Sequence, residues 1–276
     1  MPDQSNERPR AARTVLATAP EVATLRATGI ETLDAMLGGG MKPGATWLVE
    51  GRPGAGKSLL SAHFLAAGIA RGEPCLYITA AESPASLLQS FAQGWPTLEK
   101  AITQRQLAVL DPSPFFTEMR LLKDRADKAR ANIWDEVWRF AQDVVKQSRN
   151  QGAKRIVIDP VTPLLLAYDS AIELWDAAHT FVNAMSETLG ATTLLTHVTL
   201  ADPTFESIGA NLRALCHGAL QLEWQRESTG DSALAIRINK LRHRGIAQRE
   251  AICVVGEGGQ LLPAHTTAWA QRGQAA

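Results

Sequence analysis

Residues 51–58 read Gly-Arg-Pro-Gly-Ala-Gly-Lys-Ser and fill every fixed position of the pattern GxxxxGK[ST]. The apolar run 46–50 precedes them, and a segment of helical period from residue 58 follows. Strand, glycine loop and helix in that order make a phosphate-binding loop. Glycines let the backbone wrap round an anion, so that successive N–H groups and the start of the helix point at negative charge. A chance glycine-rich turn has no reason to carry a strand on one side and a helix on the other. The loop residues Gly51, Arg52, Pro53, Gly54, Ala55, Gly56, Lys57 and Ser58 are therefore the candidate binding residues. In this motif Lys57 reaches the β- and γ-phosphates and the Ser58 hydroxyl is a ligand for Mg2+.

Such a loop requires a parallel sheet, and the rest of the chain supplies one. Short, mostly unalternated apolar runs at 46–50, 75–79, 106–110, 155–159 and 191–196 have the form of strands covered on both faces. Helical stretches at 58–70, 86–93, about 117–148 and 172–189 lie between them. In the third, Ile133, Val137, Phe140, Ala141 and Val144 make an apolar stripe, which Trp134 and Trp138 extend into the core. After Gly218 the pattern becomes antiparallel, with strands at 219–224, 233–240 and 250–255 added at one edge. The fold class is α/β, a mostly parallel sheet with crossover helices and antiparallel C-terminal edge strands. Residues 1–27 read as a flexible arm, 28–263 as one domain and 264–276 as a tail in which only Trp269 has a reason to dock.

Composition narrows the partners. Lys and Arg number 28, as do Asp and Glu, so the formal net charge is zero. A chain without excess cations has no whole-surface attraction to nucleic acid or anionic lipid. The trio Arg8, Arg10 and Arg13 in the arm is offset by nearby acids. No apolar run approaches the roughly 20 residues of a membrane span, and the N-terminus has no signal peptide's apolar centre, so a cytoplasmic protein is expected. Cys75, Cys216 and Cys253 are far apart and form no CxxC, so they are expected as buried small hydrophobes.

A second acidic centre belongs at the end of a neighbouring strand. Arg155-Ile156-Val157-Ile158-Asp159 is an apolar strand ending in a carboxylate, the form of a Walker B segment, which makes Asp159 the candidate for holding Mg2+ together with Ser58. His63, His179, His217 and His265 show no ligand spacing and are expected to be structural.

With these residues in hand, the chain resembles the KaiC-like branch of the RecA superfamily from about residue 28 to 263. The resemblance rests on Thr28-Gly29-Ile30-Glu31-Thr32-Leu33-Asp34, on Leu37-Gly38-Gly39-Gly40 and on the phosphate loop. Farther on it rests on Asp159-Pro160-Val161-Thr162-Pro163-Leu164 and Lys240-Leu241-Arg242. It implies a RecA-like P-loop NTPase core with ATP and Mg2+ as ligands, and self-assembly as a ring or filament with ATP held between subunits. In that arrangement Lys240 and Arg242 reach the nucleotide of the adjacent copy. The family pattern continues differently after Arg242, where this chain has His243-Arg244-Gly245-Ile246. His197, in Thr196-His197-Val198-Thr199, falls where the superfamily senses the γ-phosphate, and the local sequence is similar to the HVTK of RadA-type proteins.

One departure bears on catalysis. The superfamily's second core strand ends in a glutamate that activates water, often two in a row in this branch. Here Tyr77-Ile78-Thr79-Ala80-Ala81-Glu82 puts Ala81 at the first position and leaves Glu82. Alanine cannot take a proton or orient water. Either Glu82 serves as the catalytic carboxylate through a shifted backbone, or hydrolysis is slow and the protein is an ATP-responsive switch. Two other readings stand beside the switch: a RecA- or RadA-like DNA recombination ATPase, and a non-hydrolysing scaffold held together by ATP. The segment 198–217 corresponds to the recombinases' DNA-facing loop, yet it carries Asp202, Glu206, a lone Arg213 and one aromatic, Phe205, which is no basic stacking groove. DNA is therefore not expected as a partner.

Overall fold

The structure is a computed structural model. It describes residues 24–115, 117, 129–166, 168, 170–226, 232–243, 245, 250–256 and 259–264, with the backbone alone for 129–137 and 187–189. In chain order the elements are α1 (Glu31–Met36), β1 (Thr46–Gly51), α2 (Lys57–Ile69), β2 (Cys75–Thr79), α3 (Pro84–Gly94), α4 (Pro96–Thr103) and β3 (Leu107–Leu110). There follow α5 (Ala129–Gln151), β4 (Arg155–Asp159), α6 (Thr162–Leu165), α7 (Ala171–Leu189), β5 (Thr192–Val198) and α8 (Pro203–Leu215). Strands β6 (Gly218–Arg226), β7 (Ser232–Leu241), β8 (Glu250–Val255) and β9 (Leu261–Pro263) close the chain.

The nine strands form one sheet in the order β3-β2-β4-β5-β1-β6-β7-β8-β9. Strands β1 to β6 are mutually parallel, and β7, β8 and β9 are antiparallel additions at one edge. The expected α/β class is observed, with one correction. Strand β6 runs parallel to β1, so the antiparallel part begins one strand later than the sequence suggests.

Period-two alternation sorts the sheet into two cores. Trp47, Val49, Tyr77 and Val157 pack with Leu33, Leu60, Phe64 and Phe91 on one face. Leu48, Leu76, Ile156 and Ile158 pack with Phe140, Phe181, Ile208 and Leu212 on the other. The three cysteines are free and buried. Trp138, expected in the core, is 46% exposed; among the described side chains of its helix, Phe140, Ala141 and Val144 are the buried apolar residues facing the sheet, with Val145 partly buried beside them. Trp134 has its side chain outside the described residues, and Arg8, Arg10, Arg13, His265 and Trp269 lie outside them altogether.

The N-terminal segment is fastened by a buried cation. Arg155, fully buried at the start of β4, donates from Nε to Glu73 Oε2 (2.6 Å) and from Nη1 to the carbonyls of Ala27 (2.6 Å) and Phe64 (2.7 Å). Its guanidinium lies 4.6 Å from the centre of the Phe64 ring. A side chain at Gly68 would strike Arg155, with an ideal Cβ only 2.5 Å from Cδ, which accounts for glycine in the last turn of α2. Arg26 pairs with Glu73, and its backbone bridges to Met41. Residues 26 and 27, expected in the arm, are thus tied to the domain.

Candidate functional site

The phosphate loop leaves β1 at its C-terminal end and enters α2. Gly56, the residue before the helix, has φ 88°, and no side chain caps the first turn. The leading N–H groups of α2 are left to the loop, the arrangement that favours an anion. Gly51 is required for another reason: a Cβ there would lie 2.8 Å from Ala55 Cβ and 2.9 Å from the Leu222 carbonyl. Lys57 Nζ donates to the carbonyls of Gly51 and Arg52, both at 2.9 Å. Burial lowers the Lys57 pKa, and the charge of Asp159 opposes that shift. The structure therefore brings Lys57 and Asp159 into one electrostatic environment from 102 residues apart. Arg52, Pro53, Gly54 and Ser58 are exposed along the loop.

Asp159 ends β4, beside β2 and β5. Its Oδ2 accepts from the Tyr77 hydroxyl at 2.7 Å, and its Oδ1 accepts from the Thr196 hydroxyl. Burial and then the Asp159 charge push the Tyr77 phenol well above its ordinary range, so it remains a donor. Ser58 partly opposes that shift, which places it near Tyr77 at the same end of the sheet. A hydroxyl and one oriented carboxylate suit Mg2+, which keeps several waters and takes its other ligands from substrate phosphates. Among the described residues no group of three or more His, Cys, Asp or Glu could cage a metal by itself. The sequence marks Tyr77 and Thr196 only as strand residues; their place beside Asp159 is set by strand order.

Glu82 follows β2 and is exposed. Its carboxylate accepts from the Ser86 hydroxyl at 2.6 Å, and its carbonyl accepts from Thr79 Oγ1 at 2.7 Å. Its charge is among those raising Tyr77, so it stands at the same end of the sheet as the loop.

His197 is fully buried at the end of β5, with both ring nitrogens engaged. Nε2 lies 3.0 Å from the Phe205 carbonyl, which can only accept, so Nε2 carries the proton. Nδ1 then accepts from Thr162 Oγ1 at 3.0 Å. Burial, followed by the repulsion of Arg213 and Lys57, lowers the His197 pKa to about 4. Its ring holds α8 against β5 and offers no free nitrogen to a phosphate.

Beneath α8 lies a further polar pair that the sequence did not indicate. Glu50, the residue before the loop, is 1% exposed and accepts from Arg213 Nη1 at 2.6 Å. Gly209 lets the helix approach: a Cβ there would stand 2.8 Å from Glu50 Oε1 and 3.2 Å from the His197 ring. The segment expected as a DNA-facing loop is thus mostly a packed helix. Its N-cap Asp202 accepts from the N–H groups of Thr204 and Phe205, and its Arg213 is committed to Glu50.

Lys240 and Arg242 are not with the phosphate loop. They sit at the end of β7, where Lys240 opposes Ala219 and Arg242 N bonds the His217 carbonyl, by the N-terminal ends of β1 and β6. Lys240 Nζ caps the C-terminus of α8 through the carbonyls of Arg213 (2.5 Å) and Ala214 (2.6 Å), and Arg242 Nη2 bonds Ala214 O at 2.8 Å.

Comparison with known proteins gives a consistent picture. A family model described as the KaiC ATPase matches residues 26–261. A circadian clock oscillator protein KaiC of Prochlorococcus marinus (strain MIT 9313) is 33% identical over 172 residues, 61% of this chain and 32% of that protein. A UPF0273 protein of Pyrococcus furiosus is 32% identical over 140 residues, 50% of this chain and 55% of the relative. The chain thus spans between about a third and just over half the length of these curated relatives. Among solved structures, a KaiC-like protein of Pyrococcus horikoshii superposes with a TM-score of 0.68 at 21% identity, covering 88% of this chain and 99% of that one.

Proposed function

The chain belongs to the KaiC family of ATPases, and on that premise we propose that it binds ATP with Mg2+ and acts as a self-associating switch with slow hydrolysis. What supports this reading is the placement of two cationic sets at opposite ends of one sheet. The loop with Lys57, Ser58 and Asp159 crowns the C-terminal ends of the parallel strands, while Lys240 and Arg242 lie at the other end. The second set is badly placed for its own nucleotide and well placed for that of a copy stacked head to tail, an arrangement that closes into a ring or continues as a filament.

In this reading the loop amides and Lys57 would hold the phosphates, and Ser58 and Asp159 would hold Mg2+. Bound Mg2+ supplies neutralisation of phosphate charge. Lys240 and Arg242 add cations from the adjacent copy and make assembly depend on which nucleotide is present. Ala81 removes a general base, and Glu82 is held on Ser86, so turnover is slow. Among the described residues no helix is long and apolar enough to cross a membrane, which agrees with a protein working in the cytoplasm.

Light scattering with ATP, with ADP and without nucleotide tests the proposal. A species several times the 29.8 kDa chain that forms in ATP and disperses in ADP is expected. An unchanging monomer would leave Lys240 and Arg242 without this role.

A further inference from the structure

Helix α5 carries more apolar surface than its place on the sheet requires. A helix laid on a sheet needs one apolar stripe, and the buried Phe140 and Val144 supply it with Ala141. Trp138 and Val145 form a second stripe. At 100° per residue they fall with Arg149 within about 40° of one another, on a face turned away from Phe140 and Val144. This second face does not end in solvent: with Ala184 of α7 it encloses a groove of about 380 Å3 between the two helices. Ala141, Val145 and Ala184 are small and leave a depression, while the large Trp138 ring, 46% exposed, stands at its N-terminal end. A half-exposed tryptophan beside an apolar hollow is costly in water and marks a contact surface.

The charge around the groove has one sign. Lys146 and Arg149, both exposed, line it towards the C-terminal end of α5, and no carboxylate does. Neither cation forms an ion pair with a carboxylate among the described residues. Asp143, on the same helix, does not reach the groove. A ligand that covers this face therefore gains by bringing apolar side chains to the Trp138 end and negative charge to the Arg149 end. Eleven residues separate Trp138 from Arg149, so the face is about 16 Å long, three turns of a helix. A groove of that length between two packed helices is the seat of a third. Two cations are too few for the phosphates of a nucleic acid, and alanine and valine give its bases nothing to stack on.

We propose that the groove between α5 and α7 is a docking site for an acidic amphipathic helix of another protein. Apolar side chains of that helix, spaced three and four residues apart, enter over Ala141, Val145 and Ala184 against the Trp138 ring, and its carboxylates meet Lys146 and Arg149. Trp138 is the anchor that sets affinity, and the two cations select the partner by charge. None of these residues belongs to the phosphate loop or to the Lys240 and Arg242 pair, so the site stands independently of the nucleotide reading.

The probe is a fluorescein-labelled peptide of about 14 residues, slightly longer than the groove, with leucine at successive third and fourth positions, glutamate beside them and alanine elsewhere. A second peptide carries lysine in place of every glutamate. Titrated by fluorescence anisotropy, the full chain should bind the glutamate peptide at roughly 100 µM or tighter and the lysine peptide at least about tenfold more weakly. Trp138→Ser should weaken the glutamate peptide about tenfold or more, the loss of an aromatic anchor. Lys146→Glu with Arg149→Glu should reverse the preference, so that the lysine peptide becomes the tighter ligand, a gain that a misfolded variant cannot produce. The substituted residues are exposed, and circular dichroism verifies folding; if the double reversal does not fold, Lys146→Gln replaces it and should weaken the glutamate peptide about threefold or more. The proposal is overturned if the full chain binds neither peptide, if Trp138→Ser binds as the unaltered chain does, or if the charge changes leave the preference and affinity as they were. Two further results also overturn it. One is a labelled oligothymidylate that binds and that the glutamate peptide does not displace. The other is a drop in the mass of the chain by light scattering in Trp138→Ser, which would mean that a second copy covers the groove.

Discussion

Glu50 and Arg213 form an ion pair of 2.6 Å in which the carboxylate is 1% exposed and its second oxygen has no hydrogen-bond partner. The pair joins the last residues of β1, at the root of the phosphate loop, to a helix whose C-terminal carbonyls hold Lys240 and Arg242. A buried carboxylate so close to an anion-binding loop is tolerable only while its cation stays in place.

Arg213→Ala should therefore destabilise the fold by about 2–3 kcal/mol, below the roughly 3–5 of a fully buried pair because the guanidinium is 40% exposed. Burial already raises the Glu50 pKa, against the opposing pull of Arg213. Removing that pull raises it further. A raised carboxylate penalises the folded state at pH above its unfolded value, and the penalty fades as pH falls towards that value. Urea melts at pH 7 and pH 5 should show the deficit shrinking at the lower pH, and Glu50→Gln in the same chain should recover part of it.

His197 carries the opposite sign. Its pKa falls from 6.5 to about 4, so below pH 6.5 the unfolded chain binds a proton that the folded chain refuses. Stability should decline as pH drops from 6.5 towards 4. His197→Asn should be less stable at pH 7.5 and show a shallower decline over that window, measured as urea midpoints against pH.

Arg155→Ala should cost about 3–5 kcal/mol by leaving Glu73 without its buried partner and the Ala27 and Phe64 carbonyls without a donor. Because Arg155 also fastens the start of the domain, limited proteolysis of the folded variant should cut near residues 24–28 faster than in the unaltered chain.

Phosphate release addresses Ala81 and Glu82. Glu82→Gln should change the rate less than threefold, since this carboxylate is engaged by Ser86, whereas Ala81→Glu should raise it towards the roughly 10²-fold of a general base. A hundredfold fall in Glu82→Gln would instead make Glu82 the catalytic base.

What the chain determined by itself is what local pattern can encode. The loop at 51–58 is written in consecutive residues, because glycines and an uncapped helix start suffice to make an anion cradle. The strands ending at Thr79 and Asp159 are legible because burial on both faces leaves a short apolar run bounded by polar residues. Helix α8 escaped although Phe205, Ile208, Leu212 and Leu215 recur at helical spacing, because its Pro203, Gly209 and polar residues look like a loop until Glu50 and His197 fill the space beneath it. The placement of Tyr77, Thr196 and Arg213 follows only from tertiary structure. Strand order in the sheet brings residues from distant segments side by side, and no single segment contains the information that fixes that order.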